Sequence, residues 1–223
     1  MDQMHYDATF KLPFSLVALG PRGSGKSFFF KELLLSPLLD PLPERIVFVC
    51  DTFDDDEIVT PLKQKYSDKI EFTDTLPSYK ELKNTLIIID DQIVEIQNNA
   101  DVLNLFLKGR HIQATVLLSQ QSYFFQGKNM KTMANNADYL VLFQSFRARD
   151  QIKILDRQIF GSKSDYLTSA FLDSIKSTKY GHLIIDNKPA QSEEIRLRSN
   201  VFENLPEIIV YSPKSYKFTY TGK

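Results

Sequence analysis

Six short apolar runs punctuate the chain: Phe14 to Leu19, Ile46 to Cys50, Leu86 to Ile89, Thr115 to Ser119, Tyr139 to Phe143 and His182 to Asp186. Most are nearly continuous rather than alternating, as in strands buried on both faces, so they predict a parallel sheet. The connections between them, about 20 residues and longer, leave room for crossover helices. Helices are predicted over Lys26 to Leu35, stopped by Ser36-Pro37, and over Thr60 to Ser67, Ile93 to Lys108, Asp150 to Phe160 and Asp165 to Ser177. Pro41, Pro43, Pro61 and Pro77 read as loop residues rather than a domain linker, and no internal repeat is present. The expectation is an α/β fold: a mainly parallel sheet, helices on both faces, and a small C-terminal strand extension that includes Glu193 to Arg198. A single domain is expected over residues 1–210, with a tail at 211–223 that frays or packs as an edge strand.

Composition narrows the class. Of 223 residues 43% are hydrophobic and 25% charged, which suits one folded domain and excludes disorder as the main state. One cysteine, Cys50, cannot form an internal disulfide, and one cysteine with three scattered histidines offers no zinc-ligand spacing. Met1 to Thr9 is polar and no apolar run approaches the ~18 residues of a membrane span. The chain is therefore expected to be intracellular, without a signal peptide or membrane anchor. The net charge of −1 conceals a gradient. Residues 1–107 carry 10 Lys and Arg against 18 Asp and Glu, whereas residues 108–163 carry 9 against 3. Charge alone does not separate a nucleic-acid partner from an unevenly charged solvated surface.

Motifs carry the argument further. Directly after the first run stands Gly20-Pro21-Arg22-Gly23-Ser24-Gly25-Lys26-Ser27, which fits G-x-x-x-x-G-K-[ST] at every fixed position and lies between a predicted strand and a predicted helix. Gly23 and Gly25 let backbone N–H groups converge on phosphate oxygens, and the following helix adds its positive end. Lys26 can reach the β- and γ-phosphates of ATP, and the Ser27 hydroxyl can hold Mg²⁺. A second element, Leu86-Ile87-Ile88-Ile89-Asp90-Asp91, is a buried strand running into two carboxylates, an arrangement that is costly unless a cation meets them. In such an enzyme Asp90 supports Mg²⁺ and Asp91 polarises the attacking water. A base beside the metal acid points to the branch of phosphate-loop ATPases with an extra strand between the two motifs (RecA/ASCE-like), and Arg45 to Cys50 can supply that strand. A third element ends Ser119-Gln120-Gln121. The Gln120 amide can bond the γ-phosphate or the lytic water as a sensor, though Ser-Gln is also ordinary chemistry at a strand end. A GTPase is disfavoured because Asn187-Lys188-Pro189-Ala190 lacks the acid that reads guanine. An ABC-type ATPase is disfavoured because no Ser-Gly-Gly-type signature precedes the acidic strand.

Together with Lys108-Gly109-Arg110-His111 and Thr115 to Phe125, these motifs resemble the FtsK–HerA superfamily, closest to its poxvirus-type genome-packaging ATPases of large DNA viruses, virophages and Polinton-like elements. The resemblance runs from about Phe14 to Ile185. It implies a homo-oligomeric ring that hydrolyses ATP with Mg²⁺ and translocates double-stranded DNA into a preformed capsid. The partners implied are the DNA and a capsid or vertex protein, and the location is the site of virus assembly in the host cell or the virion itself. Lys26 and Ser27 match the nucleotide and metal positions, Asp90 the metal-supporting acid, Asp91 the water-activating acid and Gln120 the sensor. Arg110 matches the arginine of the Gly-Arg-His segment and is a candidate trans-acting finger. It is equally placed to cap the preceding helix, and Arg147 and Arg149 are rival fingers. The acid pair here is Asp-Asp rather than Asp-Glu, one methylene shorter in reach. Tyr123, Phe124, Phe125, Lys128 and Lys131 form an aromatic and basic segment, read as a loop, in which Lys128 and Lys131 are candidates for DNA contact and a solvated turn is the plainer reading. The rival functions are a nucleotide-dependent assembly scaffold or switch, and a small-molecule kinase.

Overall fold

A computed structural model describes residues 7–51, 56–90, 99–123, 127–162, 164–176, 178–202, 208–213 and 217–220. All six apolar runs are strands. In chain order the strands are β1 (Phe10–Lys11), β2 (Ser15–Leu19), β3 (Leu39–Asp40), β4 (Arg45–Val49), β5 (Ile70–Thr73), β6 (Thr85–Ile89), β7 (Thr115–Gln120), β8 (Tyr139–Phe143), β9 (His182–Asp186), β10 (Leu197–Ser199), β11 (Ile208–Tyr211) and β12 (Lys217–Tyr220). The helices are α1 (Lys26–Leu35), α2 (Asp56–Tyr66), α3 (Ala100–Lys108), α4 (Lys128–Asn136), α5 (Arg149–Phe160) and α6 (Tyr166–Ser174). Ten strands form one sheet in the order β12-β11-β10-β9-β8-β2-β7-β6-β4-β5, and β1 pairs with β3 in a separate ribbon.

The six strands from β8 to β5 are parallel; five of them are the expected apolar runs, and the sixth, the edge strand β5, reads Ile-Glu-Phe-Thr and is not among the runs. Successive residues face opposite sides and find a core on each. Leu16, Ala18, Ile46, Phe48, Leu86 and Ile88 face α1 and α2, whereas Val17, Leu19, Val47, Val49, Ile87 and Ile89 face α3 to α6. Helices therefore cover both faces. The run His182 to Asp186 departs from the expectation, because β9 lies antiparallel to β8, with His182 opposite Phe143. Two helices, α5 and α6, join these strands, so the chain re-enters the sheet at the edge it left. Being buried on both faces, β9 carries no alternation that would disclose its direction.

Other boundaries move for local reasons. Pro61 lies inside α2, which begins at Asp56 rather than Thr60. Helix α3 starts at Ala100, where the Asn99 carboxamide accepts from the N–H groups of Asp101 and Val102 at 2.8 and 3.2 Å; the predicted first turns of this helix, over residues 93–98, lie outside the described residues. Of the segment read as an aromatic and basic loop, the part from Lys128 onward is instead helix α4. Its Met130, Met133 and Ala134 recur at helical spacing and are buried. Glu193 to Ile195 forms a 3-10 turn that Ser192 caps through Glu194 N–H, so the C-terminal strand begins only at Leu197. No described helix is long and apolar enough to cross a membrane.

Candidate nucleotide site

The site starts from a strand that ends at glycine. Beyond β2, Gly20 donates its N–H to the Gln120 carbonyl at 3.0 Å. A Cβ there would lie 2.6 Å from Ser24 Oγ and 2.7 Å from Phe143 Cβ, so the loop has room for no side chain at its first turn. At Gly25 the backbone is left-handed, φ 103°, and a Cβ would meet the Tyr180 ring at 2.8 Å. Gly25 then opens α1. No side chain caps this helix and no acid stands in its first turn, so its leading N–H groups and positive end face the loop. Lys26 is 4% exposed, and its Nζ donates to the carbonyls of Gly20 and Pro21 at 2.9 and 3.1 Å. The ammonium is thus held across the mouth of the turn. A loop of backbone donors, a helix start and one cation is a fit for a polyphosphate.

The metal position assembles from a different strand. Asp90 follows β6, is 6% exposed, and donates its backbone N–H to Val49 at 2.9 Å. A cleft of about 390 Å³ brings Asp90 together with Ser27, Arg22, Asp51, Cys50 and Gln121. Hydroxyl and carboxylate oxygens in one cleft suit a hard cation such as Mg²⁺. Asp91, the candidate base, lies outside the described residues. Gln120 ends β7 opposite Leu19 and is 5% exposed. Of the two glutamines it is Gln121 that lines this cleft, whereas the sequence reading singles out Gln120. The expectation that Arg45 to Cys50 supplies the strand between the two motifs is corrected. That segment forms β4 on the outer side of β6, and the strand standing between β2 and β6 is β7. Order along a chain does not set order in a sheet once crossovers intervene.

The remaining candidates are spread around the molecule. Arg110 lies on a 3-10 turn after α3, with its guanidinium on the Asp138 carboxylate. Asp138 precedes β8 and also accepts from Ser15 N–H and Oγ at 2.8 and 3.1 Å, which fixes Arg110 at the amino edge of the sheet. A five-residue strand of about 15 Å separates that edge from the phosphate loop. Arg110 is therefore no part of its own chain's site, and its side chain pairs with Asp138 instead of capping α3. Arg147 and Arg149 are exposed at the carboxyl edge, following β8. Lys128 and Lys131 are exposed on α4, whereas Tyr123 turns inward to donate its hydroxyl to the Phe143 carbonyl. Phe124 and Phe125 lie outside the described residues. Sequence reading missed one feature, an aromatic pocket of about 110 Å³ beside Gly25, lined by Phe28, Thr178, Lys179, Tyr180 and His182. No motif marks the Thr178 to His182 segment; only the return of β9 beside β8 brings it to the loop.

No protein-family model and no curated protein matches the sequence. Solved structures do match the fold. The genome packaging NTPase B204 from Sulfolobus turreted icosahedral virus 2 in complex with sulfate superposes with a TM-score of 0.52 at 15% identity, over 95% of this chain and 97% of that one. The same NTPase in complex with AMPPCP gives 0.52 at 15% identity, over 95% and 98%. In complex with ATP-gammaS it gives 0.51 at 14% identity, over 94% and 98%. The chain thus has an α/β phosphate-loop NTPase fold, a mostly parallel sheet between two helical layers, of the kind that this viral genome-packaging NTPase has.

Proposed function

We propose that the chain is an ATP-driven motor that, as a homo-oligomeric ring, translocates double-stranded DNA and packages a viral genome into a preformed capsid. One observation carries the catalytic part of this reading. The loop from Gly20 to Ser27, the uncapped start of α1 and the buried Lys26 meet at the carboxyl edge of a mainly parallel sheet, beside Asp90. Bound ATP with Mg²⁺ supplies the phosphoanhydride to be cleaved and a cation that offsets its charge. Lys26 holds the β- and γ-phosphates, Ser27 and Asp90 hold the cation, Asp91 accepts a proton from the attacking water, and Gln120 or Gln121 orients that water. The Phe28 and Tyr180 rings, 5.2 Å apart and tilted 40° to each other beside Gly25, offer aromatic surface for the base. The DNA part draws its support from the basic middle of the chain and from a fold shared with a packaging NTPase. A capsid or vertex protein is the expected docking partner, in the host cell at the site of assembly or on the virion.

ATP turnover by the purified protein tests both parts. Wild type should hydrolyse ATP with Mg²⁺, linear duplex DNA should raise the rate, and added salt should remove the increase. Lys26→Ala should abolish turnover and weaken ATP binding. Turnover that survives in Lys26→Ala would refute the site. Turnover indifferent to DNA at every salt concentration would leave a nucleotide-dependent scaffold or switch.

A further inference from the structure

Folding takes most of the carboxylates of the basic stretch out of its exposed surface. Between residues 127 and 160 the chain has three carboxylates, and the fold turns two of them inward. Asp138 is held by Ser15 and Arg110. Asp156 is fully buried and accepts from Ser164 Oγ, Thr168 N–H and Thr168 Oγ1 at 2.7, 2.9 and 2.8 Å. Only Asp150 stays exposed, while Lys128, Lys131, Arg147, Arg149, Lys153 and Arg157 all do.

Three of these cations form a row. Arg149, Lys153 and Arg157 are spaced i, i+4, i+8 along α5, so they share one helix face and span about 12 Å. Among the described residues, one ion pair involves this row, the contact of Lys153 with Asp150 at 3.7 Å. A groove of about 360 Å³ between α4 and α5, lined by Lys131, Asn135, Gln151, Ile154 and Gln158, lies on the other flank of this helix, and no residue of the row lines it. A row of exposed cations, with a single exposed carboxylate, is the chemistry that grips phosphate oxygens without reading bases.

We infer that the face of α5 bearing Arg149, Lys153 and Arg157 is the surface that binds the phosphate backbone of duplex DNA. The inference rests on the reading of the protein as a DNA motor and assigns the grip within it. It also moves the grip from the segment expected from sequence, with Lys128 and Lys131, to the face of a different helix. The row covers a length equal to three or four phosphates at the ~3.4 Å rise of one strand.

The test measures binding of the full chain to labelled duplexes of two unrelated sequences across a KCl series, with turnover measured without DNA in parallel. Lys153→Gln/Arg157→Gln should bind both duplexes roughly tenfold or more weakly. Its plot of log affinity against log salt should be shallower by about 2, and its DNA-free turnover should match wild type. Lys69→Gln/Lys83→Gln removes the same charge near β5 and β6 and should bind like wild type. If Lys153→Gln/Arg157→Gln keeps wild-type affinity and slope, or if both double variants weaken equally, the α5 assignment fails while DNA binding stands. Loss of oligomeric mass with DNA affinity intact would make the face a contact between copies and overturn the assignment. Absence of DNA binding by wild type at low salt would instead overturn the motor reading itself.

Discussion

The Arg110 guanidinium is 66% exposed, while the Asp138 carboxylate that it meets is 9% exposed, and this asymmetry sets what removing the arginine costs. Asp138 keeps its bonds from Ser15 N–H and Oγ in the variant, and most of the lost pairing faces water. Arg110→Ala should therefore destabilise the fold by only about 1 kcal/mol, measurable in urea. In the proposed ring, a catalytic role for Arg110 would fall on another subunit, because the residue lies across the sheet from its own phosphate loop. If it serves as a finger in trans, Arg110→Ala chains mixed into wild type should depress turnover by more than their fraction of the total. A loss in strict proportion would leave Arg110 with its structural partner alone. At Gly25 a single residue serves two constraints, a left-handed backbone and close approach of the Tyr180 ring, and only glycine meets both.

Elements in this protein are tied together by polar groups at their ends. Helix α1 has no basic residue in its last turn. Lys65 of α2 supplies one from outside, donating to the carbonyls of Leu34 and Leu35 at 2.9 Å each, and Tyr66 Oη donates to Leu34 at 2.6 Å. Burial pushes the Tyr66 hydroxyl up to about 12, so it remains a donor throughout the neutral range. Asp156 plays the corresponding part for α5 and α6, reaching from inside one helix to the first turn of the next. Asp156→Ala would leave the Thr168 N–H and two hydroxyls without their acceptor and remove a charge-assisted cluster. A loss of about 3 kcal/mol in urea is expected, with hydrogen exchange quickening first in α6. Since α6 delivers the chain to Tyr180 and β9, ATP affinity should fall with it.

For the whole molecule, a buried imidazole contributes to the fall of stability in acid. His182 opens β9 among Phe29, Phe143 and Phe202, and burial pushes its pKa down from 6.5 to about 4. Its Nδ1 lies 3.1 Å from the Tyr180 carbonyl, which can only accept, so the neutral ring carries its proton on Nδ1. The unfolded chain takes up a proton below about pH 6.5, the folded chain only below about 4. The contribution of this group is therefore complete above pH 6.5 and is lost as pH falls through 4, on the order of 3 kcal/mol in all. Urea midpoints should decline between pH 6.5 and 4, and the decline should be flatter in His182→Phe, whose ring suits the same aromatic cluster. An identical decline in both proteins would assign it to carboxylates elsewhere.

What the sequence determines here is local and periodic. Apolar runs mark strands because a strand buried on both faces must be apolar at every position, and the loop Gly20 to Ser27 is legible because backbone approach to phosphate admits few residue types at fixed spacing. The ends of α1 follow from Gly25 and Ser36-Pro37 for the same reason. Direction and neighbourhood are not local. The antiparallel setting of β9, the place of β7 between β2 and β6, and the meeting of Gly25 with Tyr180 depend on how helices return the chain across the sheet. The basic face of α5 is likewise a tertiary outcome. Counting charges shows nine cations against three acids in residues 108–163, but only packing turned Asp138 and Asp156 inward, because each found buried donors that hold a carboxylate more favourably than an isolated burial would.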